Sequence, residues 1–326
     1  MHSKLDQLKK MSVVVADSGD INAIKTFSPQ DCTTNPSLIL KAAQQEEYAS
    51  LVGKVLRSIA TMQGNFSAKL EMAVDKLAVA FGRELTEIVP GVVSTEVDAH
   101  LSFDTQAMIN KARHLVQLYA ACGVAKERIL IKLAATWEGI KAAEVLEREG
   151  IRCNMTLIFC LEQAMACARA GAYLVSPFVG RITDWYKKAQ GVEHFPAEED
   201  PGVLSVRAIY QQFKKHGFPT VVMGASFRNT AQIEALAGCD RLTISPALLS
   251  ELQNQIGNVV RQLSPDVAAN GEQADLPASE QSFRWALNQN AMATEKLAEG
   301  IRLFHQDYVK LVDFIQAFAT IRKIAL

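Results

Sequence analysis

The sequence predicts an α/β protein built as a single-domain (β/α)8 TIM barrel with a long C-terminal helix. Three observations point there. Eight short apolar or β-branched runs alternate with helical patterns along 326 residues, the order expected of a barrel rather than of a sandwich or bundle. The Ile/Leu run around Ile129 to Ala134 has no polar alternation, as a strand buried on both faces of a parallel sheet does. Neither G-x-G-x-x-G nor G-x-x-x-x-G-K-[ST] occurs. That weighs against an open doubly wound sheet, the other arrangement compatible with such alternation, and against nucleotide-driven chemistry.

The elements follow in order. Ser12 to Asp17 is a β-rich run ending in a carboxylate, and Asp31 to Asn35 is a second short strand. Pro36-Ser37 opens a helix expected to run from Leu38 to Leu56, and Lys69 to Leu85 has a strong helical pattern. Val92 to Asp98 forms the third strand after the Pro90-Gly91 turn, followed by a helix from Thr105 to Ala121. Ile129 to Ala134 is the fourth strand, and Thr136 is placed to cap a helix from Trp137 to Arg148. Cys153 to Ile158, Tyr173 to Phe178, Thr220 to Ala225 and Arg241 to Ser245 complete the eight. Ser264 to Ser279 is polar and turn-rich, and is expected to be a surface loop rather than a domain boundary, so residues 1–326 are read as one domain. Leu297, Ile301, Phe304, Tyr308, Leu311, Ile315 and Phe318 recur at steps of three and four, one apolar face of a long helix. That face is expected to pack on the barrel itself, with pairing to another subunit as the alternative.

Composition narrows the function. The net charge of −1 shows no basic excess of the kind a nucleic-acid binder carries. The first ten residues are polar, with no apolar signal core, and no apolar run reaches membrane-spanning length. Six cysteines without a C-x-x-C pair read as reduced thiols of a cytoplasmic protein. Six scattered histidines without H-E-x-x-H spacing give no reason to expect a zinc site.

Lys132 stands in the middle of the apolar fourth strand. A strand lysine most often snorkels to solvent. Here the strand is apolar on both sides and feeds a helix, so the amine is expected to be desolvated and available as a nucleophile. Barrel active sites lie at the C-terminal ends of the strands. The polar groups there are Asp17, Thr33, Asn35, Glu96, Lys132, Asn154, Thr156, Ser176, Arg181, Ser226 and Arg228. Any one of them is ordinary capping, but seven of eight strands ending this way suggest a shared site. A lysine attacking a ketone gives an imine that acts as an electron sink for C–C cleavage. Glu96 is a candidate for the proton transfers of imine formation, and Asp17 for the hydroxyl proton at the cleaved bond. The amide and hydroxyl groups suit a polyhydroxylated substrate, and Ser226 with Arg228 suits the phosphate site such barrels often build after the seventh strand. A glutamate touching Lys132 would favour the charged amine and oppose the effect of burial, unless a water separated the two.

D-C-T-T-N-P-S-L-I-L (Asp31 to Leu40) and I-L-I-K-L-A-A-T-W-E-G-I (Ile129 to Ile140) closely resemble the transaldolases of the longer bacterial and eukaryotic type. V-V-A-D-S-G-D, S-T-E-V-D-A, C-N-M-T-L-I-F, S-P-F-V-G-R-I-T-D-W-Y and V-M-G-A-S-F-R-N agree, so the resemblance covers nearly the whole chain. It implies a class I aldolase-type barrel without metal or organic cofactor. The implied reaction transfers a dihydroxyacetone unit from sedoheptulose 7-phosphate to glyceraldehyde 3-phosphate, in the non-oxidative pentose phosphate pathway. By the same resemblance Lys132 is the Schiff-base lysine, Glu96 works through a water held by Thr156, and Asp17 handles the hydroxyl proton. Thr33, Asn35, Asn154, Ser176 and Phe178 would meet the substrate, and Arg181, Ser226 and Arg228 its phosphate. A homodimer is implied too, with sugar phosphates as partners and neither nucleic acid nor membrane. Ala135, where many relatives carry serine, and the long tail Phe314 to Leu326 are minor departures. Two alternatives stand beside this: a fructose 6-phosphate aldolase, whose members are shorter and tend to carry tyrosine at the place of Phe178, and a catalytically silent sugar-phosphate-binding barrel.

Overall fold

In the computed structural model, which describes residues 2–268, 272–274 and 279–326, parallel strands close into a ring in sequence order. They are β1 (Val13–Asp17), β2 (Asp31–Thr33), β3 (Val93–Glu96), β4 (Ile129–Ala134), β5 (Cys153–Ile158), β6 (Leu174–Pro177), β7 (Val221–Gly224) and β8 (Arg241–Ile244). β8 pairs back onto β1. The barrel expected from the alternation is therefore the fold. Strand parity holds along β4: Ile129, Ile131 and Leu133 join the core between strands and helices. Leu130 packs inside the barrel with Val15, Val92, Leu174 and Met223. Lys132 shares the parity of Leu130 and so points inward.

Local chemistry fixes how the strands feed their helices. Asn35 caps the Pro36–Ala43 helix, its side chain accepting from the Leu38 N–H, and Pro36 at the first position supplies a helical φ. Thr136 caps Trp137–Arg148, its hydroxyl accepting from Gly139 N–H at 2.9 Å, as the sequence suggested. The expected helix from Leu38 to Leu56 is instead broken. Pro36–Ala43 ends, Gln45 turns extended, and Ala49–Ala60 follows a short 3-10 turn. The break seats Tyr48 against Phe81 and gives its hydroxyl to Asp20. Val52, Leu56 and Ile59 then face the core beside the Phe66–Thr86 helix. Within Ser264 to Ser279, expected as loop, Pro265–Ala268 forms a short helical turn; residues 269–271 and 275–278 lie outside the described residues.

The tail forms one helix, Ala291–Ile321, about 46 Å long at 1.5 Å per residue. Its apolar face divides between two cores. Leu297, Ile301 and Phe304 pack with Ala134, Leu157, Phe159, Phe178, Ile182 and Ala225 over the C-terminal ends of the strands. Leu311, Ile315 and Ala319 join the outer core. The helix thus packs on its own barrel and crosses the open end of it. Among the described residues no helix is long and apolar enough to cross a membrane.

The turn after β4 tolerates no side chain at one point. A Cβ on Gly139 would lie 2.0 Å from the Ala134 carbonyl oxygen, a backbone atom that cannot swing away. Gly139→Ala is expected to lower unfolding stability by about 1–3 kcal/mol through overpacking, read from the urea midpoint at unchanged slope. An unaltered midpoint would mean this turn is not held as described.

Candidate active site

The register of three neighbouring strands assembles the centre of the site. Glu96 on β3 pairs with Lys132 on β4, which pairs with Asn154 on β5. All three side chains point inward, so Glu96 Oε2 meets Lys132 Nζ at 3.0 Å with no room for a water between them. Both side chains are nearly enclosed, 5% and 6% exposed. Across the barrel the register sets Asp17 beside Thr33. The Thr33 hydroxyl is 2.8 Å from Asp17 Oδ1 and 2.6 Å from Thr243 Oγ1. Burial pushes the Glu96 carboxyl above the usual carboxylate range, and the nearby Lys132 only partly offsets this. Asp17 is raised by the same cause, partly offset by Lys132 and the Thr33 hydroxyl. Both carboxyls therefore hold a proton more readily than free ones, which suits proton transfer near neutral pH.

Above these groups opens a small cleft of about 130 Å³. Asp17, Thr33, Asn35, Lys132, Ser176, Phe178, Arg181 and Ser226 line it, so eight of the twelve residues singled out from the sequence reach one cavity. Larger hollows, such as that beside Lys9 and Ser12, gather no comparable set of groups. Asn154 does not line the cleft. It is fully buried, donating to Ser94 Oγ at 3.1 Å and accepting from Ser176 Oγ, so it stands behind Ser176. Thr156, paired in register with Ala134, is also fully buried, and its hydroxyl has no protein partner. Asn35 spends its carbonyl on the helix cap at 2.9 Å, which leaves its NH2 as the group it can offer a ligand.

The rim is cationic. Arg181 Nη1 is buried without a hydrogen-bond partner, while its guanidinium lies 5.1 Å from the Phe178 ring centroid and 5.3 Å from that of Phe304. Burial, followed by the charge of Arg228, holds Arg181 below its ordinary value. Two guanidiniums that repel each other, one with an unfilled donor, form a place where an anion is favoured. Arg228 itself is half exposed; it reaches Asp184 Oδ2 at 2.8 and 3.0 Å and Ser226 Oγ at 3.3 Å. Ser226 owes its position to a left-handed backbone, φ +61°. Plain alternation would group it with Val222, which faces the outer core.

Five lining residues were not singled out as site residues by the sequence reading: Ser37, Met223, Ala225, Thr243 and Phe304. Thr243 had a usable signal, since it lies between Leu242 and Ile244, which both pack outward. Ser37 bonds Asp307 of the tail helix, and Phe304 comes from that helix, contacts no local pattern reveals. Among the described residues no group of three or more His, Cys, Asp or Glu is arranged to hold a metal ion.

The comparisons agree with this geometry. A family model described as Transaldolase/Fructose-6-phosphate aldolase matches residues 14–315. A protein named transaldolase from Cellvibrio japonicus is 58% identical, covering 98% of this chain and all of that one. Those of Marinobacter nauticus and Alteromonas mediterranea are 55% and 57% identical, covering 98% and 95% of this chain and 99% and 97% of theirs. The fold and cleft define an aldolase-type barrel enzyme. The chain belongs to the transaldolase/fructose-6-phosphate aldolase family.

A raised carboxyl costs stability once it ionises, so the wild-type protein should lose stability as pH climbs from the ordinary aspartate range toward the folded-state value of Asp17. Asp17→Asn removes that charge. It is expected to raise Tm at pH 8 by at least about 1 °C, with the gain vanishing near pH 4, where both forms are neutral. Equal Tm values at both pH values would show that Asp17 is not held in a desolvating site.

Proposed function

We propose that the protein is a transaldolase in which Lys132 carries the three-carbon unit. The observation that supports this most is the buried Lys132 amine, in contact with one raised carboxyl and sharing its cleft with a second. Lys132 Nζ attacks the ketone carbon of the donor sugar, and the resulting carbinolamine loses water to give an imine. Glu96 takes the amine proton and returns it to the departing hydroxyl; the partnerless Thr156 hydroxyl is suited to hold the water released. Asp17 takes the proton of the hydroxyl beside the breaking C–C bond, the aldehyde leaves, and the electron pair rests in an enamine. An acceptor aldehyde then takes up that carbon, and hydrolysis frees the new ketose and Lys132.

Asn35, Ser176 and Thr33 would meet the sugar hydroxyls, with Asn154 fixing Ser176 from behind. Phe178 supplies apolar wall, and Arg181, Ser226 and Arg228 take the phosphate. Lys132 and Arg181 both approach the Phe304 ring, at 5.5 and 5.3 Å from its centroid, so the amine and the guanidinium are close enough for one sugar phosphate to reach both. The donor is sedoheptulose 7-phosphate and the acceptor glyceraldehyde 3-phosphate, giving erythrose 4-phosphate and fructose 6-phosphate. The steps draw on no metal or organic cofactor. We further read the chain as one domain, cytoplasmic and homodimeric in keeping with its family.

A coupled assay with donor and acceptor tests the reading. Lys132→Met keeps side-chain length without an amine and is expected to leave less than about 1% of transfer, since losing covalent catalysis costs several kcal/mol. Transfer near the wild-type rate would assign the nucleophile elsewhere.

The phosphate end has its own test. Arg181→Ala should lower kcat/KM for phosphorylated donors by roughly ten- to a hundredfold, or 1.5–3 kcal/mol, while sparing unphosphorylated analogues. Arg228→Ala should act in the same direction but less, because Arg228 already shares its charge with Asp184. Equal losses for both substrate kinds would move the phosphate from this rim.

A further inference from the structure

We propose that Phe304, delivered by the tail helix, is a specificity-determining residue that denies a proton source to the Lys132-bound enamine and so favours transfer over release of the free three-carbon ketone. This rests on the transaldolase reading above. Phe304 belongs to the apolar face of a helix otherwise engaged in packing, yet it also lines the cleft. Its ring centroid lies 5.5 Å from Lys132 Nζ, close enough for the amine, and for the cationic imine formed from it, to rest against the ring. The same ring lies against Arg181, and Phe178 approaches that guanidinium with a second ring. The cleft that holds the reactive nitrogen is thus lined by two phenyl rings that can neither donate a proton nor hold a water by hydrogen bonds.

The seating of this ring is well determined. Leu297 and Ile301, on the same helix face, pack over the strand ends with it. Leu157 adopts a left-handed backbone at φ +56°, a strained choice for leucine, and so joins the cluster under the helix rather than the outer core. Gly300 allows the close approach, for a Cβ there would stand 2.7 Å from Leu157 Cδ2. On the far side Asp307 accepts from Ser37, another cleft residue, and the helix continues into the outer core through Leu311 and Ile315. A core residue that served packing alone would not need to share a cavity with the two cations.

The competing step is explicit. The enamine carbon takes a proton to become an iminium ion, and water adds at the imine carbon. The C–N bond then breaks, the electron pair returns to Lys132 nitrogen, and free dihydroxyacetone leaves. The net exchange is enamine plus water to amine plus ketone. Both routes end by hydrolysing an imine, so the step particular to release is protonation of the enamine carbon. A roof of phenyl rings with no proton to give slows that step without slowing attack on an aldehyde already bound in the cleft.

The test uses the full chain with fructose 6-phosphate. Free dihydroxyacetone is measured without acceptor, and transfer is measured with erythrose 4-phosphate present. Phe304→Ala should raise the ratio of release to transfer by about tenfold or more over wild type, a change in the partition of one intermediate. Phe304→Leu, which keeps apolar bulk without the flat ring, should fall between, and it carries the test if the alanine variant does not fold. A folded variant in which release and transfer decline together, or in which the ratio stays at the wild-type value, overturns the proposal and leaves Phe304 a packing residue. Wild-type protein that performs no transfer would overturn the transaldolase reading itself, a distinct outcome visible before any variant is made.

Discussion

The structure turns on one interaction, the contact between the Lys132 amine and the Glu96 carboxylate inside the barrel, 3.0 Å apart. Taking two such charges out of water costs several kcal/mol each, and their attraction repays this only where geometry is held firmly. The barrel supplies that firmness. Lys132 sits within β4 and Glu96 at the end of β3, paired in register and both nearly enclosed, so neither head group can reach solvent without disturbing the sheet. The end of β3 is clamped as well: Asp98, two residues beyond Glu96, bonds Lys111 at 3.1 Å, and Lys111 also holds Asp75 at 2.9 Å. The cost of the buried pair is returned as chemistry, since a carboxyl raised by burial can exchange a proton with the amine it touches.

The rest of the site follows from what such a pair requires. A lysine that must form an imine needs a dry cleft, a base for the scissile bond and a handle for the remote end of the substrate. Asp17 sits where β1 and β2 bring it against Thr33, under the same desolvation. The handle proposed is Arg181, whose Nη1 has no hydrogen-bond partner and whose guanidinium lies against two aromatic rings. The tail helix closes one side of the cleft through Phe304. The expected packing of that helix on its own barrel holds, but its position over the strand ends gives it a part in the site that a packing helix would not have.

What was legible in the sequence was whatever depends on strand parity and spacing. Lys132, Glu96, Asp17 and Thr33 emerge at inward positions because alternation along a strand is a local property. Parity failed where the backbone leaves the strand: Ser226 and Leu157 have positive φ and swing to places that alternation would not assign. Asn154 was collected among the polar groups at strand ends but lies buried behind Ser176, a matter of depth in the barrel that periodicity does not encode. The break at Gln44 and Gln45 answers to Tyr48 reaching Asp20, a tertiary contact that overrides helix propensity. Phe304 was read as one member of an apolar face, correctly, but only the fold decides which part of that face meets the barrel mouth.

On the proposed mechanism Lys132 Nζ is the atom through which substrate carbon is held. The most direct measurement is borohydride reduction of the protein in the presence of fructose 6-phosphate alone, followed by proteolysis and peptide mass mapping. The account predicts a stable adduct of the reduced three-carbon unit on the peptide containing Lys132, absent when sugar is omitted. Modification confined to another lysine, or protein left unlabelled while transfer proceeds, would contradict it.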